Sequence, residues 1–276
     1  MSKPRRAVIV GYEYYSKYVA KLMNEQTSNW RLRAFDGSPR GTLAAAWDLR
    51  RADALISFGG PAPSIALSEI ARYRNIPVII IWAGSDVLTA AGDPSGLEIV
   101  KRRGFVNITD GEWLVDELRL LGIEATYQPV TAVEPGKSTK PLPGSFRVLT
   151  YLPEPRREFY GASDVYAIAR SLPGVSFSVV GAGLRDPEAP PNVTFLGYVD
   201  DMSDQIDAST VLLRLPQHDG KSMLVLEALS RGRHVIWNHE FPHVRAVRSA
   251  DAALSMLRDM QAAHARGELR TNDDGR

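Results

Sequence analysis

The sequence predicts an α/β protein of two Rossmann-like domains facing a cleft, compact and built on parallel sheets. Three observations carry that expectation. Short β-branched runs alternate with helix-period segments along the chain. The run Pro77 to Trp82 is uninterruptedly apolar, as a strand buried on both faces requires. The alternation is broken once, between Pro129 and Gly144, by a stretch dense in proline and glycine.

Taken in order, Ala7-Val-Ile-Val-Gly11 reads as a buried strand, and Ser16 to Glu25 as a helix with Tyr18, Val19 and Leu22 at helical spacing. Leu32 to Phe35 is a second strand, Ala44 to Arg50 a helix, and Ala54 to Phe58 a third strand closed by Gly59-Gly60. Pro63 to Arg74 reads as a helix, Phe105 to Ile108 as the strand after Trp82, and Gly111 to Leu121 as a helix that Gly122 terminates. Residues 129–145 are the expected linker between a domain over 1–128 and one over 146–265.

Beyond it, strands are expected at Phe146 to Tyr151, Val175 to Val180, Asn192 to Leu196, Thr210 to Leu213 and His234 to Trp237. Helices are expected at Ala162 to Leu172, Met202 to Ala208, Ser222 to Arg231 and Ala250 to Ala265, with a frayed polar tail over 266–276. Open sheets of this kind bind ligands beyond the carboxyl ends of their strands, which places the expected site in the cleft between domains.

Composition narrows the function classes. The 276 residues carry 33 basic and 32 acidic side chains, a net charge of +1 that gives no global pull toward nucleic acid. There is no cysteine, so disulfides, thiolate zinc sites and a thiol nucleophile are excluded. The apolar run after the basic Met1-to-Arg6 segment is too short for a signal peptide, and no run reaches the ~20 apolar residues of a membrane span. A cytoplasmic protein is expected, with peripheral contact at the inner face of a membrane left open.

The chemistry concentrates between Arg214 and Trp237. A polar loop holding His218, Asp219, Gly220, Lys221 and Ser222 feeds an apolar helix whose one carboxylate is Glu227. Free amides at the start of that helix attract a phosphate or a sugar hydroxyl. Glu227 then has two readings: a planar acceptor for both hydroxyls of a ribose, or an i,i+4 partner of Arg231 on an exposed face. Asp219 is an acceptor at the mouth of the loop or an ordinary turn residue.

An acidic residue, seven others, then Glu-Ala-x-x-x-Gly-x-x-Val-Ile resembles the signature of the retaining family 4 glycosyltransferases. Pro191-Asn-Val-Thr-Phe-Leu-Gly-Tyr-Val199, Val179-Val-Gly-Ala-Gly183, Ile81-Trp-Ala-Gly-Ser-Asp86 and Asp110 to Gly122 are similar to further segments of that family. The likeness covers nearly the whole chain and implies the glycosyltransferase-B fold.

It further implies that Glu227 binds the donor ribose, that Asp219 with the backbone from Gly220 to Ser222 holds sugar and diphosphate, and that Gly181 lies beneath the donor base. In Thr150 to Gly161, Arg156 and Arg157 are the candidates for neutralising the diphosphate. The family's usual Glu is Asp219 here, and its Lys-Gly pair is Tyr160-Gly161, so the second cation is missing or comes from elsewhere, with Lys221 a candidate.

The first domain is expected to bind the acceptor. Gly11 and Tyr12, Gly60, and Ser85 with Asp86 end the first, third and fourth strands. Asp86 either orients an acceptor hydroxyl or caps the helix or turn that follows. The aromatic group Tyr12, Tyr14 and Tyr15 is either a sugar-stacking wall or packing. His218 beside Asp219 contacts the donor sugar or is a plain loop residue.

No Asp-x-Asp occurs, and the five histidines lack a ligand pattern, so neither metal nor cofactor is expected. The resemblance implies transfer from a nucleoside-diphosphate sugar, on UDP, GDP or ADP, to a saccharide, lipid-linked or small-molecule acceptor. Two other readings stand beside it: a sugar-nucleotide 2-epimerase, for which the extra acid–base residues are missing, and a non-catalytic binding subunit. The latter arises because the chain stops at Thr271 to Arg276, where the family's final crossing helix is expected to begin.

Overall fold

The structure, a computed structural model, describes residues 3–60, 65–130 and 140–272. The chain divides into two units, Met1–Thr131 with Asp219–Lys221, and Ala132–His218 with Ser222–Arg276.

In the first unit, β1 (Arg5–Gly11), α1 (Glu13–Gln26), β2 (Trp30–Asp36), α2 (Pro39–Leu49), β3 (Ala54–Phe58), α3 (Ile65–Tyr73) and β4 (Val78–Trp82) alternate as expected. They are followed by α4 (Ser85–Ala91), α5 (Pro94–Arg103), β5 (Val106–Thr109), α6 (Trp113–Leu120) and β6 (Thr126–Tyr127). The six strands form one parallel sheet in the order β2-β1-β3-β4-β5-β6.

Because side chains alternate across a strand, β1 feeds two cores at once. Ala7 and Ile9 pack with Val19, Ala20 and Leu32 on one face. Val8 and Val10 pack with Ala45, Leu49 and Leu67 on the other. This two-sided burial explains the unbroken apolar runs.

Helices α4 and α5 occupy a segment the sequence reading left without structure. Gly92 ends one helix and Asp93-Pro94 starts the next. The Asp93 side chain accepts from the Gly96 amide at 3.0 Å, and Pro94 sits in the first turn, where its missing N–H costs nothing. At the other end Lys101, Arg102 and Arg103 face the negative pole of the helix, and Gly104 closes it in a left-handed conformation.

The second unit contains β7 (Arg147–Tyr151), α7 (Ala162–Ser171), β8 (Ser176–Val180), β9 (Val193–Phe195), α8 (Ser203–Asp207) and β10 (Val211–Arg214). It ends with α9 (Met223–Ser230), β11 (His234–Trp237), β12 (Arg245–Ala246) and α10 (Ala250–Ala265). Its sheet is also parallel, in the order β12-β11-β10-β7-β8-β9. Val148, Phe177, Leu213 and Ile236 of the sheet share one core with Leu257 and Met260 of α10. The two-residue strands β6 and β12 are too short to leave a periodic signal.

Of the expected linker, residues 131–139 lie outside the described residues. Its far end is held to the second unit by backbone carbonyls. The fully buried Arg233 donates to the carbonyls of Lys140 (2.7 Å) and Pro141 (3.2 Å), and His264 Nε2 lies 2.8 Å from that of Pro143.

The polar tail differs from expectation: up to Asn272 it is pinned rather than frayed. The Asn272 amide donates to the Gly232 carbonyl (2.8 Å), its side chain donates to that of His243 (3.0 Å), and His234 meets that of Arg270 (2.8 Å). Backbone acceptors on a distant loop leave no trace in the tail's own composition.

Gly11 ends β1 at φ +145°, and an added Cβ would lie 1.9 Å from the Phe58 carbonyl oxygen. Gly11→Ala is therefore expected to cost about 3 kcal/mol or more, from backbone strain and overpacking together. Gly37→Ala, where a Cβ meets nothing within 4 Å, should stay within about 0.5 kcal/mol. Urea denaturation of the two variants checks this.

Candidate functional site

The strand order of the second unit sets its crevice. The chain starts at β7, moves outward through β8 to β9, then returns to the other side of β7 at β10 and moves outward to β12. β7 and β10 are neighbours, with Val148 opposite Val211 and Leu149 opposite Leu212. Loops leaving the carboxyl ends of two such strands diverge to opposite faces, and a crevice opens between them.

Those two loops hold most of the donor-site candidates. The loop after β7 carries Arg156 and Arg157, and the loop after β10 leads through His218 to Ser222 and α9. They touch directly: the Gln217 amide donates to the Phe159 carbonyl at 2.8 Å. At Gly161 (φ +83°) an added Cβ would stand 2.4 Å from the Leu215 carbonyl oxygen. The glycine that follows Tyr160 is thus required by close loop approach.

The two arginines have different surroundings. Arg157 pairs with Glu154, lies 3.4 Å from Asp186, donates to the Leu184 carbonyl and stands over the Phe195 ring. It ties the loop after β7 to the loop after β8, and its charge is spent on protein carboxylates. Arg156 is exposed, with its guanidinium 4.1 Å from the Phe159 ring centroid.

Sequence reasoning passed over Arg214. It is the last residue of β10, only 8% exposed, with its guanidinium over the rings of Tyr160 (5.3 Å) and Tyr151 (5.9 Å). The available signal was a lone cation inside the apolar run Val211 to Leu215. Gly181 (φ +88°) ends β8 against the Tyr151 ring, which an added Cβ would approach to 2.6 Å.

Helix α9 brings two features to this end of the sheet. Its N-cap, the buried Ser222, makes no side-chain capping bond to the first amides of the helix. Five residues on stands Glu227, half-buried. Arg231 does not pair with it; its guanidinium reaches Asp207 (3.1 and 3.2 Å) and Ser203 instead. Among the described residues, no hydrogen bond or ion pair reaches the Glu227 carboxylate. Burial pushes its carboxyl above the usual range; the Arg231 charge opposes this and Asp201 adds to it.

In the first unit the strand order reverses between β1 and β3. There Gly11 and Tyr12 adjoin Gly59 and Gly60: the Tyr12 ring lies where a Gly59 side chain would be, 2.3 Å from an added Cβ. Tyr15 stacks on Phe58 (5.5 Å, 5° between planes) and belongs to the core, whereas Tyr12 and Tyr14 are exposed. Ser85 opens α4 half-buried.

Asp86 is buried, and both its oxygens accept from the Ala83 amide at 3.0 and 3.1 Å, so it performs the turn-capping role. Burial raises its pKa to about 6, with the backbone amides from Ala83 to Val87 opposing the rise.

Asp219–Lys221 groups with this unit. The Trp113 indole donates to the Asp219 carbonyl at 2.9 Å. Gly220 lies against Ala83, whose carbonyl oxygen would be 1.8 Å from an added Cβ. Glycine at 220 is therefore demanded by backbone approach, a second reason beside any role toward a ligand. Among the described residues, no group of three or more His, Asp or Glu is placed to hold a metal ion, and no helix is long and apolar enough to cross a membrane.

No protein-family model and no curated protein matches the sequence. Solved structures do match. HepE from Anabaena, in complex with UDP and glucose, superposes with a TM-score of 0.72 at 10% identity, over 98% of this chain and 93% of that one. Sucrose-phosphate synthase from Thermosynechococcus elongatus gives 0.75 at 12% identity, with the same coverage of 98% and 93%. The fold is glycosyltransferase-B. Part of the glycosyltransferase-B fold is also shared with TarM, at a TM-score of 0.59 and 11% identity over 78% of this chain, which spans about half (49%) of TarM. At these identities the likeness establishes the fold alone.

The Asp86 carboxyl is expected to titrate near pH 6. Because the folded pKa lies above the unfolded ~4, this group favours folding at low pH and loses that contribution as pH rises through 6. Carboxyl NMR titration checks it; a midpoint below 4 would show that the Ala83-to-Val87 amides outweigh burial. Replacing Arg157 by Met should destabilise the protein by about 2 kcal/mol, since Glu154 and Asp186 lose their partner. The same change at Arg156 should cost under about 0.5 kcal/mol, as chemical denaturation of both will show.

Proposed function

We propose that this protein is a glycosyltransferase that moves a sugar from a nucleoside-diphosphate sugar to an acceptor hydroxyl, with retention and without metal. The observation that carries the reading is Glu227: a half-buried carboxylate with no protein partner among the described residues, on the helix that leaves the β7/β10 switch point. Holding a carboxylate desolvated and unpaired costs stability, and a ligand with vicinal hydroxyls would repay it. The glycosyltransferase-B fold supports the same reading, and the HepE structure holds UDP and glucose.

In this proposal the loop after β10 and helix α9 take the donor. Glu227 accepts from the ribose hydroxyls, the amides at the start of α9 with Ser222, Lys221 and Gly220 receive the diphosphate, and Gly181 leaves room beneath the base. Arg156 supplies positive charge to the departing diphosphate, while Arg157 holds the loop that presents it. Asp219 and His218 contact the transferred sugar. Gly11, Tyr12, Gly60, Ser85 and Asp86 of the first unit form the acceptor side, with Asp86 acting through the turn it caps.

The bond from the anomeric carbon to the diphosphate oxygen breaks, and its electron pair leaves with the nucleoside diphosphate. The acceptor oxygen bonds to the same face of that carbon. The acceptor proton passes to the leaving phosphate oxygen, so no protein nucleophile is needed.

Calorimetry with UDP, GDP and ADP tests the donor site. One nucleotide should bind at micromolar affinity, and Glu227→Ala should weaken it about tenfold or more, as for a lost hydrogen bond to a charged group. Glu227→Gln should bind weakly too, yet be more heat-stable than the parent at neutral pH. The raised carboxyl pKa means that the ionised form burdens the fold once the pH exceeds it. Failure of all three nucleotides to bind, or unchanged binding by Glu227→Ala, would sink the proposal.

A further inference from the structure

Helix α2 carries an exposed face that neither the sheet nor the proposed donor site uses. Ala45 and Leu49 point into the core, while Leu43 and Trp47, one turn apart, are 73% and 66% exposed. A single exposed leucine is ordinary; a leucine and a tryptophan stacked at i,i+4 and rimmed by cations is not. Exposed Arg40 precedes the pair, and Arg50 and Arg51 follow it, with the Arg50 guanidinium 3.4 Å from the Trp47 ring centroid.

The positive charge continues onto the adjoining surface. A depression of about 510 Å³ is lined by Trp47 of α2 and Arg51 just beyond its end, by Arg31 and Arg33 of β2, and by Lys3 and Arg6. Two carboxylates neighbour it. Asp48 is paired with Arg33 at 2.5 Å, and Asp53 accepts from the Arg6 amide at 2.8 Å. Among the described residues Lys3, Arg40, Arg50 and Arg51 have no ion-pair partner, and Arg31 donates only to the carbonyls of Thr27 and Trp30. In a chain whose net charge is only +1, this is a local excess.

We propose that the outer face of α2 docks on an anionic lipid surface, Trp47 and Leu43 entering the boundary between headgroups and acyl chains while the flanking arginines and Lys3 meet the lipid phosphates. Tryptophan prefers that boundary, because its ring is apolar and its N–H polar. Cations near an anionic leaflet add affinity with each charge. An interfacial helix needs both parts, an apolar stripe and a basic rim; α2 supplies the stripe, and Arg40 with Arg50 and Arg51 just past its end supply the rim. The inference stands apart from the proposed function, since it uses none of the residues assigned there to donor or acceptor.

Flotation of the full chain with vesicles tests it, comparing phosphatidylcholine alone with phosphatidylcholine and phosphatidylglycerol in about a two-to-one ratio. The protein should float with the anionic vesicles, weakly or not at all with the neutral ones, and less as salt rises. Leu43→Ser with Trp47→Ser, and separately Arg50→Glu with Arg51→Glu, should each lower partitioning by about tenfold or more. Tyr73→Ser with Leu120→Ser, two exposed apolar residues (93% and 88%) outside the patch, should leave it unchanged. Since all these positions are exposed, circular dichroism should show every variant folded.

Several outcomes would overturn the proposal: no flotation with anionic vesicles, flotation insensitive to both α2 variants, or displacement by inorganic phosphate at low millimolar concentration. So would a concentration-dependent dimer, seen by sedimentation, that Trp47→Ser abolishes in a protein that never floats.

Discussion

Every ladder in the two sheets runs parallel, and a parallel pair cannot be closed by a hairpin. Each strand must hand the chain to a crossover before the next can begin, and the crossover helices cover both faces of the sheet. That constraint accounts for the apolar strands, the two cores fed by β1, and the gathering of all strand-exit loops at one edge of each sheet. It also decides where a crevice opens: between β1 and β3 in one unit and between β7 and β10 in the other, where successive loops part to opposite faces.

Loops that converge at such an edge crowd one another, and glycine relieves the crowding. Gly11 against Phe58, Gly161 against Leu215 and Gly220 against Ala83 are all backbone approaches that a methyl group would prevent. Around these contacts, charge is either neutralised or held ready. Arg157 is neutralised by Glu154 and Asp186. Asp86 and Glu227 are both carboxyls that burial makes harder to ionise, yet they differ in what surrounds them. Asp86 is repaid by backbone amides, and its burial is a structural device. Glu227 receives no such bond, and the neighbour that would neutralise it, Arg231, is drawn away by Asp207 and Ser203.

Asp207 therefore matters to the candidate site without being near its chemistry by type. It is bonded by both Arg231 and Lys140, which hold its carboxyl below the usual range. By fixing Arg231, it leaves Glu227 unpaired on the neighbouring turn. A carboxylate left unpaired is in this sense the product of an ion pair formed elsewhere.

By itself, the sequence determined the alternation of strands and helices, the two-unit α/β architecture and the loops that bear Arg156, Arg157 and His218 to Ser222. These follow from local periodicity and from where glycine and proline interrupt it, and such signals are contained within a few consecutive residues. It missed α4 and α5, where one Gly-Asp-Pro turn both stops and starts a helix, and it left the tail to Asn272 unanchored. Tertiary structure alone decided which arginine is spent and which is exposed, that Arg214 lies against two tyrosine rings at the switch point, and that Glu227 lacks the Arg231 partner its spacing offers. Those outcomes depend on Asp186, Asp207 and Tyr160, residues that chain topology brings close and no window of sequence contains. Spacing states which pairs are within reach; competition among all partners in three dimensions determines which of them form.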